Sequence, residues 1–503
     1  MCKKCMLLLF LATISLATYA QERPNIIVFL VDDMGWMDNT VPFSGKKQGF
    51  NFIYHTPNME RLAAKGMIFT DAYATPVCTP SRLSLLTGMN AAHHGVTNWT
   101  SPRKNQPTDN ADSMFLPANW RYNGITTGKP DRTSFAATTY PQLLKDNGYF
   151  TVHAGKAHWG PMGTTGANPR NLGYVINISG HAAGHPQSYL SEEFYGNKPG
   201  KNSAQSVPDL EEYYNTGTFL TEALTLEALK ALEFPVNQQQ PFYLNLAHYA
   251  VHAPIQGDDR YLQKYIDAGM DIREAKYATL LEGMDKSLGD VMDFLEQHHI
   301  EKNTVIIFMS DNGGLSLSSQ RGGAAHTQNL PLRAGKGSVY EGGTREPMIV
   351  AWPGQVAAGT VTHQPVIIED FFPTILEMAG ITGYKTLQTV DGISFMPILK
   401  KPGFKDDTRT FVWHFPNKWI PRDGPGINYC SAIRQGDWKL VLHLRDGRRE
   451  LYNLKQDIGE TNDLSKLNKE KTDELYKLLV TKLKVWNAPM PVLKSTGKPL
   501  ILN

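Results

Sequence analysis

Asn25-Ile-Ile-Val-Phe-Leu-Val31 runs without a break into Asp32-Asp33, and Thr304-Val-Ile-Ile-Phe-Met309 runs into Ser310-Asp311-Asn312-Gly313-Gly314. Two further segments share this form. Phe242-Tyr-Leu-Asn-Leu-Ala247 precedes His248 and His252, and Tyr149-Phe-Thr-Val152 precedes Gly155, Lys156 and His158. Continuous apolar runs of this length suit central strands of a parallel sheet covered by helices on both faces. In such sheets the functional groups lie beyond the carboxyl ends of the strands. Four strands that end in chemically capable residues therefore predict one shared cleft.

Helical patterns alternate with these runs. Thr56-Pro57 through Lys65-Gly66 has a capping Thr, a Pro in the first turn and a terminating Gly. Residues 218–233 and 274–298 space their apolar side chains by three and four, and residues 368–379 predict another helix. The fold expected is α/β: a large, mostly parallel sheet sandwiched by helices, from about residue 22 to about residue 400. The tail reads differently. Tyr429 to Gly436, Trp438 to Leu444 and Glu450 to Leu454 alternate with period two and are separated by Gly-containing turns, which predicts an antiparallel sheet. Residues 466–487 predict a closing amphipathic helix. Residues 401–503 thus form an expected smaller C-terminal subdomain.

Composition narrows the function. The chain has 503 residues, 41% hydrophobic and 19% charged, which excludes a disordered or fibrous protein. Its formal charge of +2 leaves no basic surplus for general nucleic-acid binding. Lys3 and Lys4 precede an apolar run from Met6 to Leu16 that ends at Ala17-Thr18-Tyr19-Ala20. The run is too short to span a bilayer and its small-residue exit fits a secretory cleavage site, so residues 1–20 predict a signal peptide and a periplasmic or secreted protein. Its removal also takes two lysines and two of the four cysteines, leaving Cys78 and Cys430. No later run reaches the roughly eighteen apolar residues of a membrane span.

Asp32, Asp33, Asp311 and Asn312 offer four hard oxygen donors at two strand ends, suited to calcium and less comfortably to magnesium. Each acidic pair taken alone also fits a solvated loop or a helix cap. In Cys78-Thr79-Pro80-Ser81-Arg82, Pro80 suits the first turn of a helix, so Cys78 lies at or just before a helix N-terminus, where exposed N–H groups favour an anion. Arg82, four residues on, shares the helix face. A lone cysteine otherwise serves as a small buried hydrophobe.

This pentapeptide resembles the C-x-P-S-R signature of the type I sulfatases of the alkaline phosphatase superfamily, and in particular bacterial carbohydrate sulfatases. Gly155-Lys156-Ala157-His158-Trp159-Gly160 resembles the family's G-K-x-H-x-G segment. His252-Ala-Pro254, Ser310-Asp-Asn-Gly313, the stretch Leu332 to Gly343 around Lys336, and the hairpin Ile433 to Leu440 follow in the family's order. The resemblance implies that a separate maturation enzyme converts Cys78 to formylglycine (3-oxoalanine), whose hydrate is the nucleophile, and that Cys78 in this form joins Asp32, Asp33, Asp311 and Asn312 at the metal. It implies a sulfatase that hydrolyses sulfate monoesters. Lys156, Lys336 and Arg82 would neutralise the sulfate, His252 would protonate the leaving alcohol and His158 would take a proton from the diol. The same equipment would serve a phosphonate monoester or phosphodiester hydrolase of that superfamily, and a chain whose Cys78 stayed a thiol would only bind sulfated glycans.

For the substrate, His181, His185 and His414 lie in segments that resemble pocket edges of carbohydrate-directed relatives, and Trp99, Trp120 or Trp419 would stack on a sugar ring. Asn98-Trp-Thr100 and Asn177-Ile-Ser179 match the N-glycosylation pattern, which occurs often by chance. Asp258-Asp259 reads as a helix cap or a solvated pair. A sulfated carbohydrate is the expected partner.

Overall fold

The computed structural model describes residues 23–316, 320–401 and 403–502, so the expected signal peptide lies outside the described residues. The large sheet has nine strands. Eight of them lie in the order Thr360–Thr362, Met67–Tyr73, Arg345–Ala351, Thr304–Ser310, Asn25–Val31, Phe242–Ala247, Phe150–Gly155 and Ile176–Ile178. Val366–Ile367 also pairs with Met67–Tyr73. From Thr304–Ser310 to Ile176–Ile178 the neighbours are parallel, while Arg345–Ala351 is antiparallel to both strands beside it. Val31 is level with Ser310, and Leu30 and Gly155 are both level with Ala247, so the four apolar runs finish along one edge.

The unbroken apolar character of these strands has a direct cause. Ile27, Phe29 and Val31 enter one core with Leu224, Leu281 and Leu288, from the helices Leu220–Asn237 and Ile272–Gln297. Ile26, Val28 and Leu30 enter the opposite core with Leu83, Leu86 and Ile375, from Cys78–Thr87 and Phe371–Met378. Successive strand side chains point to opposite faces, and here both faces are dry. The helix Pro57–Lys65 forms as expected, but Thr56 does not cap it. The Thr56 hydroxyl instead accepts from Thr40 N, and the Asp285 carboxylate takes the N–H groups of Asn58 and Met59 at 2.9 and 2.7 Å. A carboxylate from a distant helix meets the positive end of this one.

The C-terminal sheet orders Thr410–Phe415, Cys430–Gln435, Trp438–His443 and Arg449–Asn453, each antiparallel to the next. Gln435 pairs with Trp438 across a two-residue turn in which Gly436 has φ +56°, the left-handed backbone such a tight hairpin requires. The first strand was not among the sequence expectations. Phe411, Trp413 and Phe415 pack on one side and Val412 on the other, so alternation is lost. The helix Lys469–Val485 covers this sheet through Leu475, Leu479 and Leu483. Arg434 reaches Asp71 at 2.8 Å, Lys439 reaches Glu341 at 2.7 Å, and the Trp413 indole N–H donates to Ala74 O at 2.8 Å. The small sheet thereby braces the chain leading from Met67–Tyr73 into Cys78.

Candidate active site

Cys78 is the first residue of its helix, and Pro80 lies in the first turn. The extended backbone at Val77 sets up the turn. Thr75 Oγ1 donates to Val77 O at 2.8 Å, and Ser81 Oγ accepts from Thr75 N at 2.9 Å. The thiol is buried, and burial pushes its pKa up despite Lys156 and Lys336 nearby. Its sulfur lies 3.4 Å from His158 Nδ1. Nε2 of the same ring is 2.8 Å from Thr100 O, an acceptor only, so that nitrogen carries the proton and Nδ1 turns its lone pair towards residue 78. Burial, then Lys156, hold His158 well below its usual pKa. Cys430 lies apart in the C-terminal sheet, and both cysteines are free thiols.

Two glycines are required by close approach. A Cβ on Gly184 would stand 2.4 Å from His158 Cε1. One on Gly155, where φ is +95°, would stand 2.1 Å from Ala247 O. The latter is the point where Phe150–Gly155 hands over to Lys156, whose N–H donates to the same Ala247 carbonyl at 2.7 Å.

The carboxylates are held by cations. Lys156 donates to Asp32 Oδ2 at 2.6 Å and Lys336 contacts Asp33 at 2.6 and 2.8 Å. Arg82 donates from Nε to Asp311 Oδ2 and from Nη1 to Lys156 O, both at 2.7 Å, while its Nη2, 3.9 Å from Asp32 Oδ2, has no hydrogen-bond partner among the described residues. Asn312 Nδ2 donates to Asp33 Oδ1 at 2.8 Å. Burial works against ionisation of Asp33, but Lys336 and His252 outweigh it and hold its carboxyl well below the usual range. Burial and then Asp311 push Asp32 above that range even with Lys156 on it. Three carboxylates, Asp32, Asp33 and Asp311, thus pack together in a buried site, each against a cation. Its Oδ1 and the Oδ1 of Asn312 are buried without a hydrogen-bond partner among the described residues. Asp32, Asp33 and His252 also present ligand atoms within 4.8 Å of one another. Two orphaned oxygens beside three clustered carboxylates fit a hard divalent cation.

Of the expected residues, Cys78, His158, His252, Lys336 and Asp33 face a cleft of about 800 Å³, with Trp99 and Trp419 on its walls. Lys156 and Arg82 stand behind them, committed to Asp32 and Asp311. His252 fixes Nδ1 on Ala253 O at 2.8 Å and turns Nε2 towards Asp33, 3.6 Å away. His185 lies in the cleft and stacks on His252 with ring centroids 5.7 Å apart, a contact its sequence segment did not disclose. Trp419 rests on Gly337, φ +85°, where a Cβ would come 2.0 Å from the indole.

Three expected substrate contacts fall elsewhere. His414 is buried in the C-terminal sheet, with Nδ1 2.8 Å from Ser431 Oγ and Nε2 2.7 Å from Pro489 O, so both ring nitrogens are used. Trp120 is buried with its indole N–H on Asp109. His181 is half-buried against Tyr249, and it is its backbone carbonyl that serves the site, by accepting His158 N at 3.1 Å. Asn98 is fully buried, and Asn177 is tied through its amide to Gly180, so neither glycosylation pattern has the exposed asparagine it needs. Asp258 caps the helix Asp259–Asp267, as expected.

A mostly parallel sheet that gathers carboxylates, cations and a helix-initiating thiol at its strand ends has the alkaline phosphatase-like fold of the solved structures it superposes on. The crystal structure of Ps i-CgsB is 29% identical, with a TM-score of 0.70 and 92% of each chain covered. The complex of Ps i-CgsB with k-i-k-neocarrahexaose is 28% identical, with a TM-score of 0.68 and the same coverage. The family model described as Sulfatase matches residues 24–381, and one described as N-sulphoglucosamine sulphohydrolase, C-terminal, matches residues 335–488. A sulfatase of Formosa agariphila is 30% identical over 520 residues, covering 93% of this chain and 90% of its own. The N-acetylgalactosamine-6-sulfatase of Mus musculus is 29% identical over 511 residues, covering 93% and 87%. The chain belongs to the sulfatase family and is a sulfuric ester hydrolase.

Proposed function

We propose that this sulfatase removes an O-sulfate monoester from a sugar of a glycan, with Cys78 matured to formylglycine by a separate enzyme and a calcium ion held by Asp32, Asp33, Asp311 and Asn312. The observation that carries this reading is the placement of Cys78. It starts a helix, walls the cleft, and faces the lone pair of a neutral histidine at 3.4 Å. Formylglycine at residue 78, once hydrated, would supply one hydroxyl as the nucleophile towards sulfur and a second whose loss of a proton would allow sulfate to leave. Calcium supplies positive charge against the sulfate oxygens.

The chain's own groups do the rest. His158 Nδ1 accepts the proton of the hydroxyl on residue 78, because Nε2 is held by Thr100 O. His252 delivers a proton from Nε2 to the departing alcohol. Burial and then Lys336 hold His252 well below its usual pKa, so the imidazolium that this delivery needs is drawn up by Asp33 and by an incoming sulfate. Lys336 faces the sulfate from its anchor on Asp33, while Arg82 and Lys156 keep Asp311 and Asp32 in place. The named specificity of the murine relative, the saccharide bound to Ps i-CgsB, and the indoles of Trp99 and Trp419 support a sugar as the alcohol. The apolar run and small-residue exit of residues 1–20 support a periplasmic or secreted site of action.

Mass spectrometry of the Cys78 peptide, after co-expression with a formylglycine-generating enzyme, tests the maturation. Turnover of the sulfate and phosphate esters of one alcohol tests the chemistry. Aldehyde at residue 78 and preference for the sulfate ester are expected. Full activity with an intact thiol, or preference for the phosphate ester, overturns the proposal.

A further inference from the structure

We propose that Arg103 receives a second anionic group of the substrate, on the sugar that bears the scissile sulfate or on its neighbour, so that the enzyme selects multiply charged saccharides. The inference rests on the sulfatase reading of the same cleft and adds the substrate class.

Arg103 lines the cleft, and among the described residues its side chain makes neither a hydrogen bond nor an ion pair. The other lysines and arginines at the site are each paired with a carboxylate of the protein. Lys336 is on Asp33, Lys156 on Asp32, and Arg82 on Asp311. The lining contains one carboxylate, Asp33, already bound by Lys336. The outer wall is otherwise neutral, with amides and hydroxyls such as Gln106, Asn202, Ser203 and Gln205. Arg103 is exposed at the mouth of the cleft, so its guanidinium, set among groups that suit sugar hydroxyls, is free to take an anion from the ligand. Its planar fork matches sulfate and carboxylate alike.

The loop that carries Arg103 is fixed before any ligand arrives. Ser101 Oγ accepts Arg103 N at 3.1 Å, and Pro102 O accepts Met162 N at 2.9 Å. Asn105 and Asn123 exchange two bonds, at 2.9 and 2.7 Å. Thr100, whose carbonyl orients His158, lies three residues upstream, so Arg103 is within about 10 Å of that anchor along the chain. One pinned loop thus serves both the catalytic histidine and the second charge.

Three matched disaccharides provide the test: one sulfate; the same sulfate with a second sulfate; and the same sulfate with a uronic carboxylate. The parent enzyme is expected to prefer one or both dianionic forms in kcat/KM by roughly tenfold, the worth of one charge-assisted hydrogen-bonded contact. Arg103→Ala is expected to reduce that ratio to about one, and Arg103→Lys to retain part of it. The parent's preference should weaken with salt, whereas the alanine variant's ratio should not move. Which dianionic form leads identifies the group as sulfate or carboxylate. Binding of the same saccharides to Cys78→Ala protein, followed by tryptophan fluorescence, reads the preference without turnover. Preference in binding with no hydrolysis of any sulfate ester would refute the proposed function and uphold the Arg103 site. Equal use of all three disaccharides, or a ratio that survives Arg103→Ala, overturns the inference.

Discussion

Gly184 is the sharpest mechanical test of the site, because the three atoms nearest to its missing Cβ all belong to the His158 ring, at 2.4, 2.9 and 2.9 Å. Ordinary contact begins near 3.4 Å, so Gly184→Ala must drive the ring back by about 1 Å. That displacement strains the 2.8 Å bond to Thr100 O and the 3.4 Å approach to residue 78. Overpacking of this kind costs about 1–3 kcal/mol of stability, and a misplacement of about 1 Å in a catalytic group costs on the order of a hundredfold in rate. The decisive comparison is a double-mutant cycle with His158→Ala. Once the ring is gone the added methyl has room, and Gly184→Ala should become neutral or slightly stabilising, since alanine narrows the unfolded ensemble. Urea unfolding of the four proteins reads this without any need for matured Cys78, and kcat on an aryl sulfate reads the catalytic half. A stability penalty of the same size in the His158→Ala background would show that the ring is not what Gly184 accommodates. A parental kcat in Gly184→Ala would show that the position of His158 does not govern the chemistry.

Two further outcomes follow from the charges. Chelation should lower the melting temperature and added calcium should raise it in proportion to the logarithm of its concentration, because a bound cation would satisfy the unpartnered oxygens of Asp32 and Asn312; indifference to both treatments would refute the metal site. His248 is buried beside Ser287, its ring nitrogen 2.8 Å from the hydroxyl, and burial lowers its pKa to about 3. The unfolded chain takes up that proton near pH 6.5 and the native state does not, so the stability contributed by the neutral ring is complete above pH 6.5 and declines as the pH falls towards 3. His248→Gln keeps a partner for Ser287 and should remove roughly 1.6 kcal/mol of the loss between pH 6.5 and 5. Urea unfolding at the two pH values measures it, and parallel profiles for parent and variant would contradict the assignment.

Much of this arrangement is legible in the chain itself. Ile26 to Val31 and Val305 to Met309 are apolar at every position because helices cover both faces, and that pattern alone places Asp32-Asp33 and Asp311-Asn312 at strand ends; that the two strands are neighbours is a matter of tertiary pairing. Pro80 is enough to start a helix at Cys78. Local signals of this kind depend only on backbone geometry and on which side chains tolerate water. They fail where a partner comes from far along the chain. Thr56 has the chemistry of a cap, yet Asp285 does the capping. Arg82 shares a helix face with Cys78, yet its guanidinium serves Asp311. His414 has the look of a pocket residue, yet both its nitrogens are taken in the C-terminal sheet.

The sequence by itself therefore determined that a mostly parallel sheet forms and which reactive groups end its strands, since apolar periodicity and strand ends are properties of adjacent residues. Only the tertiary structure decided which groups face the cleft and which brace it. Lys336 and Lys156 are the same residue type with the same charge, and one lines the cleft beside Asp33 while the other is sealed on Asp32. His185 joins His252, and Trp419 settles on Gly337, through contacts between segments tens of residues apart. Such pairings are fixed by how the layers pack and by where each buried charge finds a counter-charge, and no local stretch of sequence carries either quantity.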